Sequence, residues 1–214
     1  MAYPLSKWIV PAICSPWIRK TEGSEKIKDK TFIIAANHSS YFDIFLPPIL
    51  VVSKINKKIH ALANSFYWNN FITKFILNMW EAIPVYVDKE KDSKQKNKLA
   101  FQKAVNYLKK NELVMIFPEG ARSSDGKLNK AYHGVAKLAL AAKVPVLPFG
   151  IIDAHKVLPK GKMFPRFKRC EVKIGKPMYF DKYYNKKINK KILEEITRQI
   201  MKKIAKLIGQ KYNY

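Results

Sequence analysis

Two stretches of this chain have residue types and spacing suited to chemistry: Asn37-His38-Ser39-Ser40-Tyr41-Phe42-Asp43 and Phe117-Pro118-Glu119-Gly120-Ala121-Arg122-Ser123. In the first, a carboxylate accepting from one imidazole nitrogen would set the tautomer and leave the other nitrogen to take a proton from a hydroxyl. Positions five apart on a regular helix point about 140° away from each other, so His38 and Asp43 meet only if His38 precedes a helix. Ser39 or Ser40 would then be the N-cap, with Asp43 in the first turn, where the helix dipole also favours negative charge. Alone, the same spacing equally describes a surface His followed by a helix-start carboxylate. In the second stretch, Gly120 can take backbone angles that turn main-chain N–H groups toward a ligand. Arg122 adds a fork matched to phosphate oxygens. Alone, this is a β-turn with an exposed Arg; together, the two stretches supply a base for a hydroxyl and an anion site beside it.

The elements that must position these residues follow from hydrophobic patterning. Apolar, β-branched runs predict strands at Thr31–Ala36, Ile59–Ala63, Ala82–Val87, Leu113–Phe117, Val144–Ile152 and Val172–Ile174. Between them, Ser93–Lys110 places Leu99, Ala100, Ala104, Val105 and Leu108 on one stripe, with Ser93 as N-cap after the solvated run from Glu90 to Lys98. Ala131–Ala142 reads as a second helix. Ile192, Ile196, Ile200, Ile204 and Ile208 mark a C-terminal helix whose stripe suits either the sheet or a membrane. Alternating strands and helices predict a single α/β domain with a largely parallel central sheet flanked by helices. His38 and Glu119 then each follow the end of a strand, where such sheets carry their sites.

The chain has 214 residues, enough for one domain with a substantial core. Apolar residues make up 48% of it and aromatics 13%, which excludes wholesale disorder. Against 41 Lys and Arg stand 16 Asp and Glu, a formal net charge of +25 that attracts polyanions, either nucleic acid or anionic lipid headgroups. Richness in Lys, Ile and Asn is equally what an AT-rich genome produces. A basic nucleic-acid-binding module has no zinc, RNP or recognition-helix pattern to support it. Cys14 and Cys170 form no disulfide framework and fit a reducing compartment; Cys170 reads as a core thiol rather than a metal ligand or nucleophile.

Residues 1–25 read as an N-terminal segment preceding a domain of residues 26–214. Its apolar part falls short of the roughly 20 residues a spanning helix needs, and Pro4, Pro11 and Pro16 interrupt it. It also lacks the layout of a signal peptide. Trp8 and Trp17 beside Lys7, Arg19 and Lys20 suit a segment lying in a membrane interface; the alternative is an arm packed on its own domain. Phe66 to Trp80 groups further aromatics with few charges. There Phe71, Phe75 and Met79, spaced by four, read as core contacts, and Tyr67 and Trp68 as interface.

From Thr31 to Ile152 the chain resembles the 1-acylglycerol-3-phosphate (lysophosphatidate) acyltransferases. The likeness rests on the Asn-His-x4-Asp and Phe-Pro-Glu-Gly-x-Arg-Ser blocks, on Ile83-Pro84-Val85-Tyr86-Val87-Asp88-Lys89, and on Val144-Pro145-Val146-Leu147-Pro148. It implies that His38 and Asp43 are catalytic, and that Glu119, Gly120 and Arg122, with Lys89, bind the acceptor's glycerol phosphate. The implied reaction moves a fatty acyl group from an acyl-CoA or acyl carrier protein thioester to a lysophospholipid hydroxyl, with no bound cofactor, no metal and no acyl-enzyme. The turn at Gly120 and its neighbours offers backbone N–H groups that could hold the oxyanion, and the sequence leaves open which of them donate. The likeness further implies a peripheral enzyme on the cytoplasmic face of an anionic membrane, with no specific nucleic-acid partner. There are three departures from the pattern: Lys89 stands where Arg is usual, Ala121 replaces Thr, and Ala131-Tyr132-His133-Gly134 replaces Phe-Lys-x-Gly. These bear on the acceptor headgroup, with glycerol-3-phosphate or another lysolipid as alternatives, more than on the chemistry.

Overall fold

The structure is a computed structural model that describes residues 6–87, 91–159, 161, 162 and 164–214. Lys89 lies outside them.

Short apolar runs bounded by polar residues form the middle of the sheet. Strand β2 (Ile33–Ala36) is buried along its whole length and lies between β5 (Leu113–Ile116) and β6 (Val146–Ile152), parallel to both. β3 (Ile59–Asn64) and β4 (Ile83–Val85) extend the parallel part beyond β5. On the other side, β7 (Cys170–Ile174) pairs antiparallel with β6, and β1 (Ile18–Glu22) pairs parallel with β7. The order across the sheet is β1-β7-β6-β2-β5-β3-β4. The largely parallel α/β architecture expected from the patterning is present. The sheet, however, already begins at Ile18, inside the segment assigned to residues 1–25; Arg19 and Lys20 on this exposed edge strand hid it from an apolar-run reading.

Because neighbouring side chains on a strand point to opposite faces, β2 feeds two cores. Ile33 and Ala35 join Val114, Ile116 and Val146 beneath α4 (Ser93–Lys109), α5 (Gly134–Ala142) and α7 (Lys190–Leu207). Ile34 and Ala36 join Met115, Leu147 and Phe149 on the face covered by α1 (Ser6–Cys14) and α2 (Leu46–Val52), the latter contributing Leu46 and Val51. Each fully buried Ile or Leu adds about 1.5–3 kcal/mol. The stripe on α7 is core: Ile196, Ile200 and Ile204 are fully buried. Gly150 on β6 permits this approach, since a Cβ there would sit 2.6 Å from that of Leu207. Asn189 caps the helix by accepting from the Ile192 amide at 2.9 Å. At the start of α4 the expected Ser93 cap is displaced by one residue: Asp92, with φ 58°, occupies the cap position without a side-chain cap bond.

The opposite correction applies to α3 (Phe71–Met79). Phe71, Phe75 and Met79, expected in the core, are 82%, 64% and 58% exposed, whereas Tyr67 and Trp68 are half-buried. A spacing of four defines a face but not what covers it. α3 packs against the preceding 3-10 turn Ser65–Asn69, where Trp68 Nε1 donates to Asn78 Oδ1 at 2.9 Å and the Tyr67 ring meets Tyr41. Among the described residues no helix is long and apolar enough to cross a membrane.

Candidate active site

Since β2 and β5 are adjacent and parallel, their C-terminal ends open on the same edge of the sheet, and each leads into one of the two signature stretches. Asn37 fixes the first. Its amide acts as an extra backbone unit on β6, donating to Ile151 O at 2.8 Å and accepting from Ile151 N at 2.7 Å. The chain then turns into a short 3-10 helix, Tyr41–Ile44, with Ser40 as N-cap in a capping box closed by Asp43. Ser40 Oγ accepts from Phe42 N at 3.0 Å and donates to Leu158 O at 2.8 Å.

This turn brings His38 and Asp43 together ahead of any regular helix. Asp43 Oδ2 lies 3.0 Å from His38 Nδ1 and accepts from the amides of Ser39 and Ser40 at 2.6 and 2.7 Å. Asp43 is fully buried, and its Oδ1 has no hydrogen-bond partner among the described residues. A carboxylate acceptor at Nδ1 selects the tautomer with the proton there, so Nε2 presents its lone pair. Phe117 stacks on the imidazole at 4.0 Å between centroids, fixing the ring plane. A buried carboxylate, a held tautomer and a ring still 14% accessible are what general-base chemistry requires.

Glu119 joins the two stretches. It is 3% exposed; Oε1 accepts from His38 N at 2.9 Å and Oε2 from Asn129 N at 2.6 Å. Burial pushes its carboxyl up to about 7, against the lowering effect of those two amides. A second tie is the amide of Ser123, which donates to His38 O at 2.8 Å. The loop bearing Asn129 is in turn held by the C-terminal tail: Leu128 N donates to Gln210 Oε1 at 3.1 Å and Ala131 N to Tyr212 OH at 2.9 Å. Asn129, Gln210 and Tyr212 lie in no motif and act only through tertiary contact, so no sequence pattern marks them.

Gly120 has φ 68°, a left-handed conformation suited to glycine, and a Cβ there would stand 3.0 Å from the Tyr132 ring. Its N–H donates to Phe117 O at 3.0 Å, closing the turn, so the expectation that Gly120 N–H serves an oxyanion is corrected: that donor is already engaged. Arg122 lies with its guanidinium carbon 3.5 Å from the centroid of the Tyr41 ring, and its buried Nη1 has no hydrogen-bond partner among the described residues. A guanidinium N–H held on an aromatic platform without an acceptor suits an anion supplied from outside. His38, Asp43, Glu119, Gly120 and Arg122 thus converge on one edge of the sheet.

The sequence model of the family described as Acyltransferase matches residues 18–152, well over half of the chain. The chain belongs to the acyltransferase family. The chain is 28% identical over 153 residues to the 1-acyl-sn-glycerol-3-phosphate acyltransferase of Bacillus subtilis (strain 168), covering 71% of this chain and 68% of that one. To the chloroplastic 1-acyl-sn-glycerol-3-phosphate acyltransferase of Arabidopsis thaliana it is 25% identical over 142 residues, 65% of this chain but 37% of the plant protein. The chain therefore spans little more than a third of the plant relative's length. The crystal structure of the 1-acyl-sn-glycerophosphate (LPA) acyltransferase PlsC from Thermotoga maritima matches with a TM-score of 0.69 at 23% identity, over 100% of this chain and 81% of that one, a shared fold.

Proposed function

We propose that this chain transfers a fatty acyl group from an acyl thioester to the free hydroxyl of 1-acylglycerol-3-phosphate, forming phosphatidate in phospholipid biosynthesis. The observation that carries the reading is the pairing of His38 Nδ1 with buried Asp43 at 3.0 Å, on the same sheet edge as an Arg122 Nη1 that has no hydrogen-bond partner among the described residues. His38 Nε2 takes the proton from the acceptor hydroxyl as its oxygen attacks the thioester carbonyl carbon. The tetrahedral intermediate collapses, the carbon–sulfur bond breaks, and the leaving thiolate takes the proton back from the imidazolium. Asp43 holds the tautomer and stabilises the transient positive charge. Arg122 receives the acceptor phosphate, with Lys89 as a second cation, while Glu119 and Gly120 shape the loop that carries Arg122.

The acyl donor is coenzyme A or acyl carrier protein thioester, and no resident cofactor or metal takes part. Both substrates carry apolar chains, so the enzyme works as a peripheral protein on the cytoplasmic face of an anionic membrane. Exposed Trp8, Ile9 and Ile13 on α1 and the exposed face of α3 support that placement, as does the charge of +25.

Acyl transfer by the purified protein in detergent micelles tests the reading, with lysophosphatidate, glycerol-3-phosphate and neutral lysolipids as acceptors and both carriers as donors. The expected result is transfer to lysophosphatidate that falls at least about 100-fold in His38→Ala with the fold intact. A His38→Ala protein with near-parental turnover refutes the mechanism, and transfer confined to another acceptor refutes the substrate. In Arg122→Ala the acceptor KM should rise; an unchanged KM removes the phosphate role.

A further inference from the structure

Phe164 and Phe167, in the connection from α6 (Ala154–Val157) to β7, are 80% and 101% exposed, so neither ring is packed on the domain. Around them stand Lys162, Arg166, Lys168 and Arg169, all exposed, and no acidic residue occurs from Leu158 to Cys170. The segment is nevertheless tied to the fold. Arg166 N donates to Val157 O at 2.7 Å, and Arg166 O accepts from Trp17 Nε1 at 2.9 Å. Through Trp17 it adjoins the segment that follows α1, the helix carrying exposed Trp8, Ile9 and Ile13. At its root, Leu158 O accepts the hydrogen bond from Ser40 Oγ, the cap of the turn that pairs His38 with Asp43.

We infer that the connection bearing Phe164 and Phe167 is a bilayer-docking element, inserting both rings into the interface of an anionic membrane while Lys162, Arg166, Lys168 and Arg169 meet the headgroups. Two observations select this occupant. Aromatic rings exposed over nearly their whole surface gain most at a lipid–water interface, and a connection whose charged residues are all basic matches anionic headgroups. The hydrogen bonds at Trp17 and Leu158 then give the element a purpose: they fix the height of the catalytic turn above the lipid from which its substrates come. The inference deepens the acyl-transfer reading and rests on it for this purpose, but the binding itself is measured without turnover.

The test is sedimentation of the full chain with vesicles of phosphatidylcholine containing about one third phosphatidylglycerol, or none. Phe164→Ser/Phe167→Ser should bind the anionic vesicles at least about 10-fold more weakly while its far-UV spectrum and Tm stay parental. Lys162→Glu/Lys168→Glu should lose binding to anionic vesicles and change little on neutral ones. Parental binding by the Phe variant overturns the inference. So does parental vesicle binding combined with weakened capture of acyl carrier protein, which would make the surface a carrier-docking site. Turnover on a short-chain, monomeric acceptor separates the two readings. A parent that docks through these rings yet transfers nothing removes the acyl-transfer reading alone. A parent that transfers, with a Phe variant that docks normally, removes the docking inference alone.

Discussion

Replacing Glu119 by Gln should change how stability depends on pH, by an amount that follows from the burial of the carboxyl. In the unfolded chain the group loses its proton near 4.5; in the fold, burial raises this to about 7. Between those pH values the folded protein holds one proton more than the unfolded chain, so its unfolding free energy falls as pH rises, by up to about 1.4 kcal/mol per unit. The contribution is fully present below pH 4.5 and lost as pH rises through about 7, an interval that amounts to about 3 kcal/mol. Glu119→Gln keeps the shape and does not titrate, but it turns an amide donor toward either His38 N or Asn129 N, a pH-independent cost of about 1–3 kcal/mol. Urea unfolding followed by Trp fluorescence, for parent and variant across pH 4.5 to 8, isolates the titrating part as the difference between the two curves. The parent's advantage should shrink by about 3 kcal/mol from the acid to the neutral end of that range. Curves that stay parallel would show that Glu119 carries no raised proton affinity, and would refute its description as a desolvated clamp between the two loops.

Asp43→Asn should lower kcat by about 1,000-fold or more, because an amide can turn a donor toward Nδ1 and release the tautomer; steady-state kinetics with a near-parental kcat would contradict this. Tyr41→Ala removes the platform 3.5 Å from Arg122, so the acceptor KM should rise by roughly 2- to 30-fold with the donor KM unchanged. Tyr41→Phe keeps the ring face and should restore the parental KM within about twofold. His60 lies near the start of β3, at the far end of the sheet from the site. It is fully buried, with Nδ1 3.2 Å from Glu81 O, Nε2 2.9 Å from Glu112 Oε2, and Tyr107 stacked at 3.5 Å. His60→Leu removes the ring N–H that serves one of those acceptors, together with the stacking on Tyr107, and should cost about 1–3 kcal/mol in chemical denaturation while kcat stays parental.

What could be read without the structure depended on whether the cause was local. β2 and β5 announce themselves because strands buried on both faces must be apolar throughout, whereas β1, on an edge with Arg19 and Lys20 exposed, carries almost no such signal. The contact of His38 with Asp43 is local as well, created by a Ser40 cap and a 3-10 turn within six residues. The clamp from Glu119 to His38 N and Asn129 N, and the Tyr41 platform under Arg122, arise only when β2 and β5 lie side by side, so residue types could nominate the partners but not pair them. Gly120 shows the converse: its role as an oxyanion donor fails for a local reason, a turn bond to Phe117 O that was already implicit in Phe-Pro-Glu-Gly. The helices α3 and α7 separate pattern from environment most clearly. Both space apolar residues by four, yet the stripe of α7 is core while Phe71, Phe75 and Met79 face outward. The difference was present in composition: the rest of α7 is largely Lys, Glu and Arg, leaving its Ile stripe one place to go, whereas the half-buried Ile76 and Leu77 give α3 a second apolar side. A helix apolar on more than one side, at the edge of a domain of charge +25, has a face left for something other than its own core.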